Sequence, residues 1–339
     1  MSRNTRVAVG SLIAVLLPAG TLVASAPTSA VDTVTVPAVR ETTPVQHTGD
    51  AADDPAIWVD PSGSGSSLII GTDKKGGLEV YDLAGTRLQR FPTDFGNNVD
   101  VRRNIVVSAD DQVKRLHVYR VDAATRRLEP VGDVPTKIRP HGLCMYDSPQ
   151  TGDLSVFANA PSGVVQQYEL NVGTNSVSAV ASRKFDVGTA VEGCAADESN
   201  AALYISEENA RTVWRYGAEP SSGAARIVIE SPATSGNIVG DAEGIAVVGS
   251  HIFVSSQGDG QFAVYDRSTN VYQGRFSVVN GAAADGCSGT DGIEAYAGAL
   301  GSQFPNGLFI CQDNRNTKPG TAGRQDFKLV DLSDIEAAF

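Results

Sequence analysis

Six segments built on one plan recur along the 339-residue chain. Each begins with polar residues and continues as a short apolar run, and successive segments start about 40 to 50 residues apart. They lie at residues 49–60, 97–102, 140–146, 191–197, 241–248 and 290–296. A repeat of this length indicates one supersecondary unit that is copied and stacked, so the repeats are expected to form a single architecture.

Each repeat contains further strands after its polar head. A second apolar run follows, as in residues 68–73 and 203–208, and a fourth run follows a turn, as in residues 86–91. The third run ends on tyrosine in five repeats, at Tyr81, Tyr119, Tyr168, Tyr216 and Tyr265. These tyrosines are predicted to pack between the units. Four strands repeated six times predict an all-β fold, a six-bladed β-propeller with four antiparallel strands per blade.

The two ends of the chain are expected to complete the propeller. A strand near residues 33–36 is predicted to join the last blade and close the ring, because an open sheet edge invites aggregation. Residues 331–339 are predicted to form a short helix. In a propeller the first strand of each blade lines the central channel, so the six polar heads are expected to converge at its mouth.

The N-terminal residues predict export. Two arginines precede an apolar run that ends on small residues near Ala26 or Ala30, the pattern of a cleaved secretory signal. We therefore assign residues 1–30 to a signal peptide and residues 31–339 to one propeller domain, expected to be secreted and monomeric. The alternative is a membrane anchor, but the run contains Pro18 and is short for a bilayer span.

Charge and cysteine content limit the partners. A net charge of −12 argues against nucleic acid and acidic membranes, so a small-molecule substrate is expected, and an anionic one would need a cation between it and the protein. Four cysteines fit an oxidising compartment and leave three possible pairings. We favour Cys144 with Cys194 and Cys287 with Cys311, because each pair falls in one repeat or in neighbouring repeats.

Most polar heads carry carboxylates. Carboxylates that point into one channel mouth repel each other unless a cation neutralises them, and oxygen ligands without histidine or cysteine favour calcium. The residues assigned to such a mouth site are Glu192, Glu208, Asp241, Glu243 and Asp291, and those assigned to calcium sites that join loops are Asp54, Asp285 and Asp313. The alternative is that each acid is a solvated loop residue.

One basic group accompanies this acidic ring. Lys74 and Lys75 occupy a glycine-rich turn in the first repeat, and Arg102 ends the polar-headed segment of the second. On the rim of a calcium-filled channel these three side chains are expected to bind phosphate or carboxylate groups. His141, on a channel strand, is expected either to contact substrate or to have a structural hydrogen-bonded role.

Eight short motifs follow one another along the chain. They are Gly-Asp-Ala-Ala-Asp-Asp-Pro-Ala-Ile-Trp at 49–58, Lys-Lys-x-Gly-Leu at 74–78, Asn-Asn-Val-Asp-Val-Arg at 97–102, Glu-Gly-x-Ala-Ala-Asp at 192–197, Tyr-Ile-x-Glu-Glu at 204–208, Asp-x-Glu-Gly at 241–244, Ser-Ser-Gln-Gly at 255–258 and Thr-Asp-Gly-Ile at 290–293. Each motif alone is weak, but in this order they resemble the β-propeller phytases from about residue 45 to the end of the chain.

The resemblance implies a calcium-dependent hydrolase of the 3-phytase type, which removes phosphate from phytate (myo-inositol hexakisphosphate) by attack of a metal-activated water. Position by position, it implies that the calcium ligands of the catalytic site are Asp53, Glu192, Glu208, Asp241, Glu243, Gln257 and Asp291, with Asp53, Glu192, Glu243 and Asp291 closest to the reaction. It implies structural calcium sites at Asp54, Val99 and Asp285, and phosphate binding by Lys74 and Lys75.

The chain departs from the family pattern at substrate contacts. Asp111 stands where the family has a phosphate-binding arginine, His141 replaces a tyrosine, and Pro161 and Ser162 replace a lysine and a glutamate. These changes leave open the second phosphate site and the preference for phytate over simpler phosphate esters. Two other functions also stay open: a lactonase-type hydrolase with one central calcium, and a non-catalytic secreted propeller that binds a partner through its rim. The lysine pair favours the phosphatase.

Overall fold

Runs of β-branched and aromatic residues, separated by turns rich in glycine, asparagine and aspartate, form short strands that pair with their sequence neighbours. The computed structural model describes Met1, residues 33–321 and residues 323–339. Within these residues six sheets contact one another in a closed ring through their innermost strands. The predicted six-bladed β-propeller with four antiparallel strands per blade is confirmed. The signal peptide predicted at residues 1–30 lies, beyond Met1, outside the described residues.

The strands follow the repeats. Two short strands come first, β1 (Val34–Pro37) and β2 (Arg40–Glu41). Blade one contains β3 (Ala52–Trp58), β4 (Leu68–Asp73), β5 (Gly77–Asp82) and β6 (Arg87–Phe91). Blade two contains β7 (Gly96–Arg102), β8 (Ile105–Asp110), β9 (Arg115–Asp122) and β10 (Arg127–Pro135). Blade three contains β11 (Gly142–Asp147), β12 (Leu154–Asn159), β13 (Val164–Val172) and β14 (Val177–Asp186).

The second half of the ring is built in the same way. Blade four contains β15 (Val191–Asp197), β16 (Ala202–Glu207), β17 (Thr212–Gly217) and β18 (Arg226–Glu230). Blade five contains β19 (Ala242–Val248), β20 (His251–Ser256), β21 (Gln261–Asp266) and β22 (Tyr272–Val279). Blade six contains β23 (Ile293–Tyr296), β24 (Leu308–Asp313) and β25 (Asp326–Asp331), followed by the predicted terminal helix, α1 (Leu332–Glu336). The described residues also form short 3-10 helices at Ser64–Ser66, Glu198–Asn200, Pro220–Ser222 and Gln257–Asp259, and they include no helix long and apolar enough to span a bilayer.

The N-terminal strands close the ring, but not in the predicted way. β1 pairs parallel to β22 and adds a fifth strand to the outside of blade five. Blade six instead receives β2, in which Glu41 lies opposite Lys328 of β25. The assignment of the first strand to the last blade is therefore wrong. Val36 is buried in the hydrophobic cluster between blades five and six, which holds β1 against blade five and leaves the next residues to reach blade six.

Hydrophobic side chains are buried between neighbouring blades. Six clusters of buried residues lie one at each interface between blades. The five tyrosines of the third strands belong to five of these clusters, and each is at most 6% exposed. Their predicted role in packing the blades together is confirmed.

The favoured cysteine pairing is also confirmed. Cys144 of β11 is bonded to Cys194 of β15, with Cα atoms 5.6 Å apart, and this bond joins the innermost strands of blades three and four. Cys287, in the loop before β23, is bonded to Cys311 of β24, with Cα atoms 6.4 Å apart. Both cross-links restrict the unfolded chain and so favour the folded state.

Candidate functional site

The polar heads of the innermost strands converge at one mouth of the central channel, where they line a cavity of about 320 Å³. The lining residues are Asp50, Lys74, His141, Glu192, Glu208, Asp241, Glu243, Gln257, Asp291 and Asn314. Six of these ten are predicted calcium ligands, and Lys74 and His141 are predicted substrate contacts. The structure thus brings most of the predicted site together. We refer to this place as the channel mouth.

A β-bulge positions the polar head in four of the blades. Where β3, β7, β15 and β19 begin, each advances three residues while the neighbouring strand advances two. The extra residue interrupts the alternation of side chains and redirects them. Among the residues within these bulges are Asp53, Asn97, Glu192 and Glu243. Local backbone irregularity, rather than regular strand alternation, therefore places these groups in the channel.

Glycine follows several polar heads because neighbouring blades approach closely there. A Cβ atom at Gly193 would lie 2.2 Å from the carbonyl oxygen of Glu243, and one at Gly292 would lie 2.3 Å from Oδ1 of Asp54. The N–H of Gly292 also donates to the carbonyl oxygen of Asp53 at 3.0 Å. The repeated Glu-Gly and Asp-Gly pairs in the sequence thus mark contacts between the head of one blade and the next blade.

Three glutamates form the centre of the channel mouth. One carboxylate oxygen each of Glu192, Glu208 and Glu243 lie within 4.8 Å of one another. Oε2 of Glu243 is buried without a hydrogen-bond partner among the described residues. Burial, followed by the charges of Glu192 and Asp291, raises the pKa of Glu243 to about 11, and burial also raises the pKa of Glu208. Crowded carboxylates with an unpaired oxygen fit a hard divalent cation such as calcium.

Asp53 connects this centre to the lysine turn. Its side chain is fully shielded from solvent, and Oδ2 lies 2.7 Å from Nζ of Lys74. The same Nζ lies 2.8 Å from Asp50 and 3.8 Å from Asp291. Burial, and then the charge of Glu192, raise the pKa of Asp53 well above its usual range. Burial alone would lower the pKa of Lys74, but the charges of Asp53 and Asp291 raise it, so Lys74 stays an ammonium.

His141 lies between two carboxylates. Its Nε2 is 3.3 Å from Oε2 of Glu192, and its Nδ1 is 3.3 Å from Oδ2 of Asp111, which also binds Arg139 at 2.7 Å. Burial alone would lower the pKa of His141, but its contacts with Asp111 and Glu192 raise that pKa to about 10. In turn His141 outweighs burial and lowers the pKa of Glu192 to about 2. Asp111 and His141, both expected to differ from the family pattern, therefore form one charged pair beside a predicted calcium ligand.

Side-chain amides hold the carboxylates in place. Nδ2 of Asn97 donates to Oε1 of Glu192 at 2.8 Å and to Oδ1 of Asp53 at 3.3 Å. Nε2 of Gln257 donates to Oδ1 of Asp291 at 2.6 Å, and burial raises the pKa of Asp291 to about 7. Sequence reasoning did not assign Asn97, or Asp50 beside Lys74. Both residues lie in the motifs at 97–102 and 49–58, so their presence in those motifs could have indicated that they belong to the site.

Two predicted substrate contacts lie outside the cavity. Lys75 is exposed, and its Nζ donates to the carbonyl oxygen of Thr48 at 2.8 Å, which places it on the rim. Arg102 is the last of the seven residues of β7, whose first residue is at the mouth. At about 3.3 Å per residue the strand separates these ends by roughly 20 Å. The predicted place of Arg102 beside the lysines is therefore wrong; it pairs with Asp100 at 2.8 Å and Glu198 at 2.7 Å.

The rest of the channel forms a second cavity of about 400 Å³. Arg102, Asp54, Val99 and Glu294 are among its lining residues. The structure brings together Asp54 and Val99, two predicted ligands of structural calcium, but the contact is made by the N–H of Val99, which donates to Oδ2 of Asp54 at 3.1 Å. An N–H cannot ligate a cation, so this contact alone does not form a calcium site.

Four further positions lie away from the channel mouth. Pro161 and Ser162, predicted to replace a lysine and a glutamate of the family pattern, are exposed in the turn between β12 and β13. Asp285 and Asp313, predicted to bind structural calcium, lie together in blade six near Lys328.

The sequence matches the profile of the phytase family over residues 4–339. The chain belongs to the phytase family. A curated relative, the 3-phytase of Bacillus subtilis strain 168, is 33% identical over 323 residues, which cover 88% of this chain and 84% of the relative. The resemblance drawn from the eight motifs is therefore confirmed. In this member of the family, Lys74 and six predicted calcium ligands line the channel mouth.

Solved structures with low sequence identity share the fold. The regucalcin of Agrobacterium tumefaciens strain C58, described as a calcium-binding protein, has a TM-score of 0.55 at 14% identity and covers 88% of this chain and 96% of its own. The hydrazine synthase of Kuenenia stuttgartiensis has a TM-score of 0.51 at 12% identity, with 76% of this chain and 80% of that chain covered. The structure of U3-55K also reaches 0.51 at 12% identity, with 86% and 84% covered. These similarities concern the fold alone.

Proposed function

We propose that this protein is a secreted, calcium-dependent hydrolase of the 3-phytase type that releases phosphate from phytate at the channel mouth. The observation that carries the proposal is the group of three glutamates, with an unpaired oxygen on Glu243, beside the ammonium of Lys74. A polyanionic substrate approaches a protein of net charge −12 only where cations intervene. Family membership and the 3-phytase relative support the reaction class.

Calcium ions are proposed to bind the carboxylate and amide oxygens of the channel mouth. The ligands are Asp53, Glu192, Glu208, Asp241, Glu243, Gln257 and Asp291. When bound, calcium neutralises charge on phosphoryl oxygens and lowers the pKa of an attacking water. Hydrogen bonds from Asn97 to Glu192 and Asp53 orient these ligands from outside the metal shell, and Gln257, itself a proposed ligand, orients Asp291 through its side-chain N–H. A further structural ion deeper in the channel is proposed to bind the carboxylate of Asp54 and the carbonyl oxygen of Val99, not the Val99 N–H that contacts Asp54.

Lys74 is proposed to bind the phosphoryl group. Its ammonium is held at the cavity by three aspartates, so it needs no large rearrangement to donate hydrogen bonds to an anion that enters. Lys75, on the rim, contributes charge at longer range. Phosphate departure requires no covalent intermediate on the protein, because the water is the nucleophile.

The neighbourhood of His141 is proposed to set the substrate range. Asp111 replaces a cationic residue of the family pattern, and its carboxylate engages His141 and Arg139. Pro161 and Ser162 offer no charged side chain. With one strong phosphate contact and a weakened second one, the site is expected to distinguish less between phytate and simple phosphate esters.

Signal cleavage near Ala26 or Ala30, a single domain at 31–339 and a monomeric state complete the proposal.

Comparison of three substrates tests the reaction class. The purified protein is incubated in calcium with phytate, p-nitrophenyl phosphate and an uncharged sugar lactone, and phosphate release or lactone opening is measured. Release from the two phosphate esters, without lactone opening, supports the proposal. Lactone opening without phosphate release would replace it with the lactonase-type alternative, and no turnover of any of the three would favour a binding propeller.

A further inference from the structure

A buried lysine lies where the sequence predicts a structural calcium site. The side chain of Lys328 in β25 has no exposed surface. Its Nζ is 3.0 Å from Oε2 of Glu41, 2.9 Å from Oδ1 of Asp326 and 3.5 Å from Oδ2 of Asp313, and it also contacts Oδ1 of Asp285. We call these five residues the closure cluster. An ammonium has three N–H donors, and here carboxylates receive all of them.

The second oxygen of each carboxylate in the closure cluster also has a donor. The pairs are Thr317 to Asp285, Ser288 to Asp313, Asn316 to Asp326 and Lys318 to Glu41. Each carboxylate oxygen therefore faces either an ammonium or a neutral donor. Three of these oxygens, Oε1 of Glu41, Oδ2 of Asp313 and Oδ1 of Asp326, face an ammonium without forming a hydrogen bond. At the channel mouth, Oε2 of Glu243 has neither a hydrogen bond nor an ion pair among the described residues. Within residues 33–321 and 323–339, only the mouth brings oxygens of three acidic residues within 4.8 Å of one another.

The closure cluster lies where the ring of blades is joined. β2 is two residues long, and its Glu41 lies directly opposite Lys328 in the register with β25. Outside this pair the junction includes backbone hydrogen bonds from Val39 to Leu329 at 2.8 Å and from Thr42 to Phe327 at 2.9 Å. Asp285 belongs to the loop that enters blade six. One ammonium thus connects the N-terminal strand, this loop and the last strand of the propeller.

We propose that Lys328 is a built-in cation that closes the propeller ring in place of a calcium ion. The same carboxylates that would ligate calcium surround a positive charge that is covalently part of β25, and buried charges of this kind need a partner to be tolerated. This replaces the assignment of Asp285 and Asp313 to structural calcium. It does not depend on the proposed activity. Ring closure is then independent of calcium, while the channel mouth responds to it.

Counting bound calcium tests the proposal in the whole protein. The wild type, Asp285→Asn and Asp291→Asn are dialysed against the same calcium buffer, and calcium per chain is measured by atomic emission. Asp285→Asn should bind as many ions as the wild type. A loss of about one ion per chain in Asp285→Asn would overturn the proposal. Asp291→Asn changes the channel mouth, so its ion count tests the proposed function separately.

Removal of the ammonium gives a second, independent readout. Lys328→Met leaves the four carboxylates without their cation, and in chelator its Tm should fall by roughly 5–10 °C. Added calcium stabilises both proteins at the channel mouth, but it should also narrow the Tm difference between Lys328→Met and the wild type by at least half, because it can take the place of the ammonium. The matched control, Lys318→Met, removes an exposed partner of Glu41 and should shift Tm by less than ~2 °C. A wild-type Tm for Lys328→Met in chelator, or no narrowing of the difference with calcium, would contradict the proposal.

If Lys328→Met does not accumulate as folded protein, the ion count of Asp285→Asn in the wild-type background still decides the question. That variant keeps Lys328, together with Glu41, Asp313 and Asp326.

Discussion

Nζ of Lys74 lies 2.7 Å from Oδ2 of Asp53, a carboxylate whose side chain is entirely shielded from solvent. This contact joins the proposed phosphate-binding lysine to the proposed calcium ligands in one electrostatic unit. A change in charge on either side must therefore affect the other.

Lys74 and Lys75 should contribute unequally to activity. Lys74→Met removes the ammonium held inside the cavity and should lower kcat/KM for phosphate release by at least ~10-fold, the value of one charge-assisted hydrogen bond. Lys75→Met removes a rim residue bound to a carbonyl and should cost less than ~3-fold. Steady-state kinetics on both variants check this. Equal losses would contradict this, because they would show that the rim contributes as much to phosphate binding as the cavity.

Glu243→Gln should abolish phosphate release without unfolding the protein. It removes the unpaired carboxylate oxygen from the channel mouth, so kcat should fall by at least ~100-fold. Because burial and neighbouring charges raise the pKa of Glu243 to about 11, the neutral glutamine should leave the Tm of the calcium-free protein almost unchanged. Glu129→Gln, at an exposed position on β10, is the control. Retained turnover in Glu243→Gln would remove this residue from the mechanism.

Arg102→Gln should lower the folding stability and leave substrate binding almost unchanged. Its guanidinium pairs with Asp100 and Glu198 at the other end of β7, so the variant should lose ~1–3 kcal/mol of folding free energy. KM for phosphate esters should stay within ~2-fold of the wild type, since the side chain is roughly 20 Å from the mouth. Chemical denaturation and kinetics on the same preparation separate the two effects. A large rise in KM at unchanged stability would restore Arg102 to the substrate site.

The calcium-free protein should become less stable as pH rises from 6 to 8. Burial raises the pKa of Asp291 from 3.8 to about 7, and a raised carboxyl pKa contributes stability that is present at low pH and lost as pH passes the folded value. Glu294 and Asp326, each raised to a pKa of about 8, act in the same direction. Calcium requires ionised ligands, so its stabilising effect should instead grow over this range.

Thermal unfolding of stripped and calcium-loaded protein at pH 6, 7 and 8 tests this dependence. Asp291→Asn should reduce the fall of Tm between pH 6 and 7 in the stripped protein, and the part due to Glu294 and Asp326 should remain. A Tm that rises with pH in the stripped wild type would contradict the assigned shifts.

The architecture and the members of the site could be predicted from the sequence for a physical reason. Each blade is a local unit with its own strand and turn signals, so a repeat is visible without knowledge of distant contacts. The tyrosines at one repeated position, such as Tyr81 and Tyr265, indicated the interfaces between blades for the same reason. Carboxylates such as Glu192 and Asp291 could be predicted as site residues because like charges that share a channel mouth repel one another unless they bind a cation.

Placement within the site depended on features that single residues do not reveal. The bulges that redirect Asp53 and Glu243 arise from pairing between strands, and alternation along one strand cannot show them. Arg102 follows the acidic head in sequence, yet the length of β7 carries it to the other end of the channel. The pairing of Glu41 with Lys328 joins the two ends of the chain, and no local pattern could indicate which blade each N-terminal strand would enter.

Phosphate release from phytate, measured with and without calcium, shows whether the channel mouth needs calcium to act. The purified protein is stripped with chelator, assayed, and assayed again after calcium is restored, with the folded state followed by circular dichroism. The stripped protein should stay folded, because Lys328 closes the ring, but should release no phosphate, and calcium should restore the activity. Full activity in chelator, with the protein confirmed free of calcium, would contradict this calcium dependence.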